Sequence, residues 1–185
     1  MNKRRLIIPQ KLPILLLGEG KSEQGYGRWL NKIARTHKLP FHFNAEGLKG
    51  GDPLDLLQKA IEKMKNLTRS RESFKHVALL LDSDLRGQNP ERDEQAIRTA
   101  AQHNIHLIWQ LPCHEAFLLR HFIGKQNKKP RNHHVAKRQL EAEWHGYEKG
   151  QDAVAYGKKL TLDHLSRARA VETDLNDFLV LIGWD

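Results

Sequence analysis

The amino-acid sequence predicts an α/β fold: a mainly parallel sheet flanked by helices, with a helical extension at the C-terminal end. Three observations carry this. Short apolar runs alternate with stretches of helical periodicity through residue 122. The run 77–81 is apolar throughout, as expected of a central parallel strand covered on both faces. After residue 122 the strand pattern stops, and a basic stretch gives way to two helical ones.

The elements follow in order. Residues 1–12 form a basic N-terminal arm. Residues 13–17 are a buried strand ending in the tight turn Gly18-Glu19-Gly20. Residues 22–35 read as a helix with Tyr26, Trp29, Leu30 and Ile33 near one face. At 40–44, Phe41 and Phe43 alternate with polar residues in a short second strand. Gly47, Gly50 and Gly51 make a loop, and Asp52 caps a helix with Pro53 in its first turn. That helix runs to about residue 67, with Leu54, Leu57, Ile61 and Met64 at helical spacing. The strand 76–81 ends at Asp82-Ser83-Asp84. A helix over 90–102, a strand over 103–109 and a helix over 114–122 complete a core spanning 13–122. In the remainder, 123–185, a basic loop leads to helices over 132–147 and 161–182. A polar stretch, 146–157, separates them.

Composition narrows the function classes. The chain has 185 residues, enough to bury a core without disulfides. One cysteine excludes an intrachain disulfide and a thiolate metal cluster, so a reducing, cytoplasmic setting is expected. No apolar run approaches the roughly 20 residues of a membrane-spanning helix. Pro9, Gln10, Lys11 and Pro13 interrupt the start of the chain, so no signal peptide is expected. The formal net charge of +9 admits nucleic acid as a partner.

The strongest chemical signal is acidic. Glu19 and the pair Asp82 and Asp84 each follow a predicted buried strand. In open α/β sheets, ligands bind beyond the carboxyl ends of strands. Three carboxylates meeting there repel one another unless a cation compensates them, and carboxylate oxygens suit Mg²⁺ or Mn²⁺. Read alone, either motif occurs by chance in many soluble chains and fits solvated or helix-capping acids; it is the pairing of both at strand ends that points to a metal. Gly18-Glu-Gly-Lys-Ser22 lacks the length of a phosphate-binding P-loop, so ATP use by this chain is not expected. Cys113 reads as a small packing residue. The four tryptophans, Trp29, Trp109, Trp144 and Trp184, read as core or interface residues.

The segment 15–23, Leu-Leu-Leu-Gly-Glu-Gly-Lys-Ser-Glu, together with 77–84, Val-Ala-Leu-Leu-Leu-Asp-Ser-Asp, resembles the strand-Glu and Asp-x-Asp pattern of Toprim domains. These Rossmann-like domains occur in primases, topoisomerases, recombination proteins and overcoming-lysogenization-defect nucleases. The segment 111–122, Leu-Pro-Cys-His-Glu-Ala-Phe-Leu-Leu-Arg-His-Phe, is similar to a Pro-Cys-aromatic-Glu segment of RloB-like proteins. These are compact Toprim-related proteins associated with bacterial restriction or phage-defence loci. Two departures stand out: His114 replaces the aromatic residue and Phe117 stands where Trp is common.

The resemblance implies a metal-dependent nuclease acting on RNA or DNA in phage defence, with an ATPase as a possible partner. Glu19 would be metal ligand or general base, Asp82 and Asp84 metal ligands, and Glu23 a further metal carboxylate. Glu115 would complete the catalytic set, with Lys21 and His121 accessory. The basic residues Lys125, Lys128, Lys129, Arg131, Lys137 and Arg138 are the nucleic-acid candidates, extended by Lys65, Arg69 and Arg71. Arg86 follows Asp84 closely enough to meet a scissile phosphate. A non-catalytic nucleic-acid-binding or regulatory subunit is the rival reading, and hydrolysis or transfer on a small nucleotide a third. Homo-oligomerisation stays open.

Overall fold

The computed structural model describes residues 11–69, 73–84 and 86–184. Four strands, β1 (Leu12–Gly18), β2 (Phe41–Gly47), β3 (His76–Asp82) and β4 (Ile105–Gln110), form one parallel sheet in the order β2-β1-β3-β4. The helices α1 (Lys21–Thr36), α2 (Pro53–Arg69) and α3 (Pro90–Gln102) follow the first three strands. The chain then runs through α4 (His114–Leu119), α5 (His133–Glu143), α6 (Ala153–Lys159), α7 (Leu162–Arg169) and α8 (Thr173–Leu181).

Strand side chains alternate between faces, which divides the core in two. On one face Leu15, Leu17, Leu79 and Leu81 pack with Leu54, Leu57 and Ala96 of α2 and α3. On the other, Ile14, Leu16, Ala78, Leu80 and Ile108 meet Tyr26 and Trp29 of α1. The C-terminal helices join this second face through Leu140, Tyr156, Leu165 and Phe178, and Trp184 beyond α8 adds to it. The expected α/β architecture with a helical extension is what the structure shows, and the extension shares one core with the sheet.

Both edges of the sheet are engaged by side chains. On β2, Phe43 N–H donates to Asn31 Oδ1 at 3.0 Å and the Ala45 carbonyl accepts from Gln24 Nε2 at 3.2 Å. On β4, Trp109 N–H donates to Asp174 Oδ2 at 3.1 Å.

Some boundaries differ from expectation. The stretch 146–157 holds the start of α6, capped by Asp152 Oδ1, which accepts from Val154 and Ala155 N–H. The expected helix over 161–182 is two, α7 and α8, broken at 170–172, where the Glu172 side chain turns inward to pair with Arg120. Of the basic N-terminal arm, residues 1–10 lie outside the described residues. Among the described residues no helix is long and apolar enough to cross a membrane.

A carboxylate-lined cavity as candidate active site

The strand order reverses between β1 and β3. One connection from β1 goes outward to β2, and the next element pairs on β1's other side. Such a switch point leaves a crevice beyond the carboxyl ends of the two central strands. A cavity of about 350 Å³ occupies it, lined by Glu19, Glu23, Asp82, Lys21, Lys49 and Lys149 among others.

Each acid is positioned by its element. Glu19 directly follows β1, and its carbonyl accepts from Gly50 N–H at 3.0 Å, tying it to the glycine loop. Glu23 lies in the first turn of α1, where its Oε2 accepts from Gly20 N–H at 2.8 Å. Negative charge at a helix N-terminus is favourable, which holds this buried carboxylate in place. Asp82 ends β3. Glu115, 2% exposed, sits in the first turn of α4 and accepts from the Tyr147 hydroxyl at 3.4 Å. Asp84 is exposed, and its N–H and that of Ser83 donate to the Pro112 carbonyl.

The electrostatics are those of crowded acids only partly offset by Lys149. Burial, then the neighbouring carboxylates of Glu23, Glu19, Asp84 and Glu115, push the Asp82 carboxyl up to about 9. Burial and Glu23 also raise Glu19, against the pull of Lys149. The Lys149 Nζ stands 3.9 Å from Glu115 Oε1. Burial opposes its charge, but Glu115, Asp82, Glu23 and Glu19 outweigh that and raise its pKa. Cys113 is buried and its thiol is pushed up to about 12, consistent with a packing role.

A divalent cation fits this donor set in chemistry. Asp82 Oδ1 is buried and has no hydrogen-bond partner, and the surrounding donors are hard carboxylate oxygens. Among the described residues, however, no three His, Cys, Asp or Glu side chains are gathered into a metal-binding group. Glu19, Glu23 and Asp82 line one cavity, whereas Asp84 and Glu115 stand outside its lining.

The other expected residues are dispersed. Lys21 lines the cavity. His121 is fully buried; its Nδ1–H donates to the Phe117 carbonyl and its Nε2 accepts from the Tyr26 hydroxyl. Burial lowers its pKa to about 3, so it is a neutral core residue. The Arg86 guanidinium lies over the Trp109 ring, 4.8 Å from its centroid. Lys125 pairs with Glu143 at 2.9 Å, and Lys137 with Glu141 at 3.6 Å. Lys128, Lys129, Arg131 and Arg138 are exposed or half-exposed around the same loop and helix. Arg71 lies outside the described residues.

The extension supplies what motif reading missed: Tyr147, Lys149 and Tyr156. Gln110 Nε2 donates to His114 Nδ1 at 2.8 Å. With its proton on Nε2, His114 donates to the Tyr156 hydroxyl at 2.9 Å, and that hydroxyl donates to the Ser22 carbonyl at 3.1 Å. The departure at His114 is therefore absorbed by a buried polar chain reaching the N-terminus of α1. No spacing signal marks Tyr156 as its partner 42 residues away.

Glycine is required where α1 leaves the sheet. A Cβ on Gly18 would stand 2.1 Å from Glu23 Cβ, and one on Gly25 would stand 2.1 Å from the Gln151 carbonyl oxygen. Gly18→Ala is expected to displace the Glu23 turn and destabilise the fold by about 1–3 kcal/mol, the usual range for overpacking. Chemical denaturation checks this; a midpoint equal to the parent's contradicts it.

Comparison with known proteins adds one match: the family model of RloB-like proteins covers residues 14–177. No curated protein and no solved structure matches the chain.

Proposed function

The chain belongs to the RloB-like protein family, and from that premise we propose that it is a divalent-metal-dependent nuclease that hydrolyses phosphodiester bonds in RNA or DNA. One observation carries the reading: Asp82 offers a buried, unpartnered oxygen in a cavity that Glu19 and Glu23 also line, at the sheet's switch point. Glu19 and Asp82, with Glu23 and Asp84, are the residues that would hold Mg²⁺ or Mn²⁺. The bound ion supplies charge neutralisation at the phosphoryl group and a more acidic water.

The chain's own residues divide the remaining work. Glu19, raised from the ordinary carboxylate range, is suited to accept a proton. Glu115, backed by Tyr147, sets the field behind Asp82. Lys21, Lys49 and Lys149 bring positive charge to the cavity, where an anionic strand must approach. The proposed setting is bacterial phage defence in the cytoplasm, with an ATPase as partner.

The test is cleavage of mixed RNA and DNA with Mg²⁺ or Mn²⁺, alongside Glu19→Gln and Asp82→Asn, with and without the ATPase. Cleavage by the parent alone supports the reading. Cleavage unaffected by either substitution, or none with the partner present, sinks it.

The absence of a gathered three-ligand group among the described residues favours a second reading, a non-catalytic nucleic-acid-binding or regulatory subunit. In that case Lys149 is the permanent counter-ion of the cluster. Lys149→Ala separates the two. For a metal site, removing this cation tightens Mn²⁺ binding by about three- to tenfold, as expected for one nearby, partly screened charge. Free Mn²⁺ measured by electron paramagnetic resonance reports it, and unchanged or undetectable binding favours the regulatory reading.

A further inference from the structure

A second cavity, of about 570 Å³, opens on the other side of the Asp82 turn. Ser83, the residue between Asp82 and Asp84, lines it, as does Pro112. The Pro112 carbonyl accepts from both Ser83 and Asp84 N–H, at 3.0 and 3.1 Å. The wall of this cavity and the acidic turn are thus one hydrogen-bonded unit.

Its chemistry differs from that of the carboxylate cavity. Leu111 and Val171 present apolar surface that is 56% and 38% exposed, although both border a recess. Gln126 and Asn127 add amide groups that both donate and accept. Lys128 and Lys129 stand exposed on the lining. Beneath lies Arg120, 6% exposed, with Nε on Glu172 and Nη1 donating to the Lys128 carbonyl at 3.2 Å. Its Nη2 has no partner. A buried guanidinium with an unused donor, under a loop carrying two lysines, favours an anionic occupant. Apolar walls and amides favour one that also has flat faces and a hydrogen-bonding edge.

We propose that this cavity holds one nucleotide of a single-stranded substrate, its base unstacked against Leu111 and Val171 and its phosphate facing Lys128 and Lys129. Gln126 and Asn127 read the base edge. The placement beside the Asp82 turn rests on the nuclease reading; binding of the nucleotide does not. A base withdrawn from its stack is the usual target of sequence recognition in single strands, because its edges and faces are then free. The volume is within the range of small-molecule sites.

The test uses short single-stranded RNA and DNA oligonucleotides carrying 2-aminopurine, in EDTA so that nothing is cleaved. Binding is expected to raise the 2-aminopurine fluorescence as the base leaves its stack. Leu111→Glu is expected to weaken binding about tenfold, the scale of one lost base contact. Val180→Glu, an equally exposed apolar position on α8 outside the cavity, serves as control and leaves binding at the parent's level. If Leu111→Glu lowers the melting temperature, Val171→Glu takes its place. No binding by the parent, no fluorescence rise, or equal affinities for the cavity variant and Val180→Glu would each overturn the proposal. Binding that fails only in the cavity variants, in a protein that cleaves nothing, keeps this inference and removes the nuclease reading. Cleavage with unaltered binding in those variants does the reverse.

Discussion

Asp82→Asn is expected to abolish metal-dependent cleavage while making the protein harder to melt in EDTA. The two effects have one origin. The half-buried Asp82 carboxyl, its Oδ1 shut away from solvent, faces four other acids and is raised to about 9. In the unfolded chain it ionises near 4. Between those values the native state holds a proton that the unfolded state releases, so this group makes stability fall as pH rises through that window. An Asn side chain carries no such charge, and its amide can donate to the neighbouring carboxylates. The expected gain is about 1–3 kcal/mol, the cost of an unsatisfied buried polar group. Near pH 8 this corresponds to a rise of about 2–12 °C in melting temperature. The difference from the parent shrinks as pH falls toward 4 and vanishes below it, where Asp82 is protonated in both states. Added Mn²⁺ is expected to raise the melting temperature of the parent and to leave that of Asp82→Asn nearly unmoved. Equal melting temperatures for both proteins at pH 8, with equal responses to Mn²⁺, would remove Asp82 from any cation site.

Arg120→Ala is expected to be the most destabilising of the substitutions considered. Arg120 and Glu172 are each 7% exposed at the side chain and form an ion pair between the end of α4 and the turn before α8. Burial pushes the Glu172 carboxyl up and Arg120 draws it back, leaving it above its ordinary value. Without the guanidinium a buried carboxylate is left uncompensated, which costs about 3–5 kcal/mol. The melting temperature should fall by roughly 10 °C or more. Glu172→Gln in the same chain should restore part of the loss, because the two positions act as a unit. The deficit of Arg120→Ala should also narrow on acidification, as Glu172 takes a proton. Differential scanning calorimetry at two pH values checks both. A loss below about 1 kcal/mol, with no rescue, would mean that the pair is solvated in solution.

The parts of this architecture legible in sequence are those written in local patterns. The apolar runs ending at Leu17 and Leu81 mark β1 and β3, and residues directly after them reach a common cavity because parallel strands end on the same side. What escaped reading depends on partners far along the chain. The helix α6 is seven residues long and contains Gly157; it is held by the Asp152 cap and by Tyr156 buried against Trp144. The helix expected over 161–182 is interrupted because Glu172 has a partner 52 residues earlier. Lys149 reaches the carboxylates from a turn whose own sequence is merely polar. His121 lies in a motif-like segment, and its environment is set by Tyr26, 95 residues earlier, to which it is bonded in the core. The six cations of residues 125–138 also read as more uniform than they are, since Lys125 and Lys137 already face Glu143 and Glu141.

The side chains that cap the sheet's two flanks bear on how this protein can associate. An exposed strand is a template to which another strand can add, whether from a partner, a second copy or an aggregate. On β2, Asn31 and Gln24 already occupy an outward N–H and an outward carbonyl, and on β4 Asp174 occupies the Trp109 N–H. A visiting strand would have to displace these groups before gaining its own hydrogen bonds. Assembly with a partner protein or another copy is therefore directed toward helix faces and loops, and fibrillar growth by strand addition is disfavoured. Opening the β2 flank by Asn31→Ala and Gln24→Ala should reveal that protection as faster aggregation on mild heating.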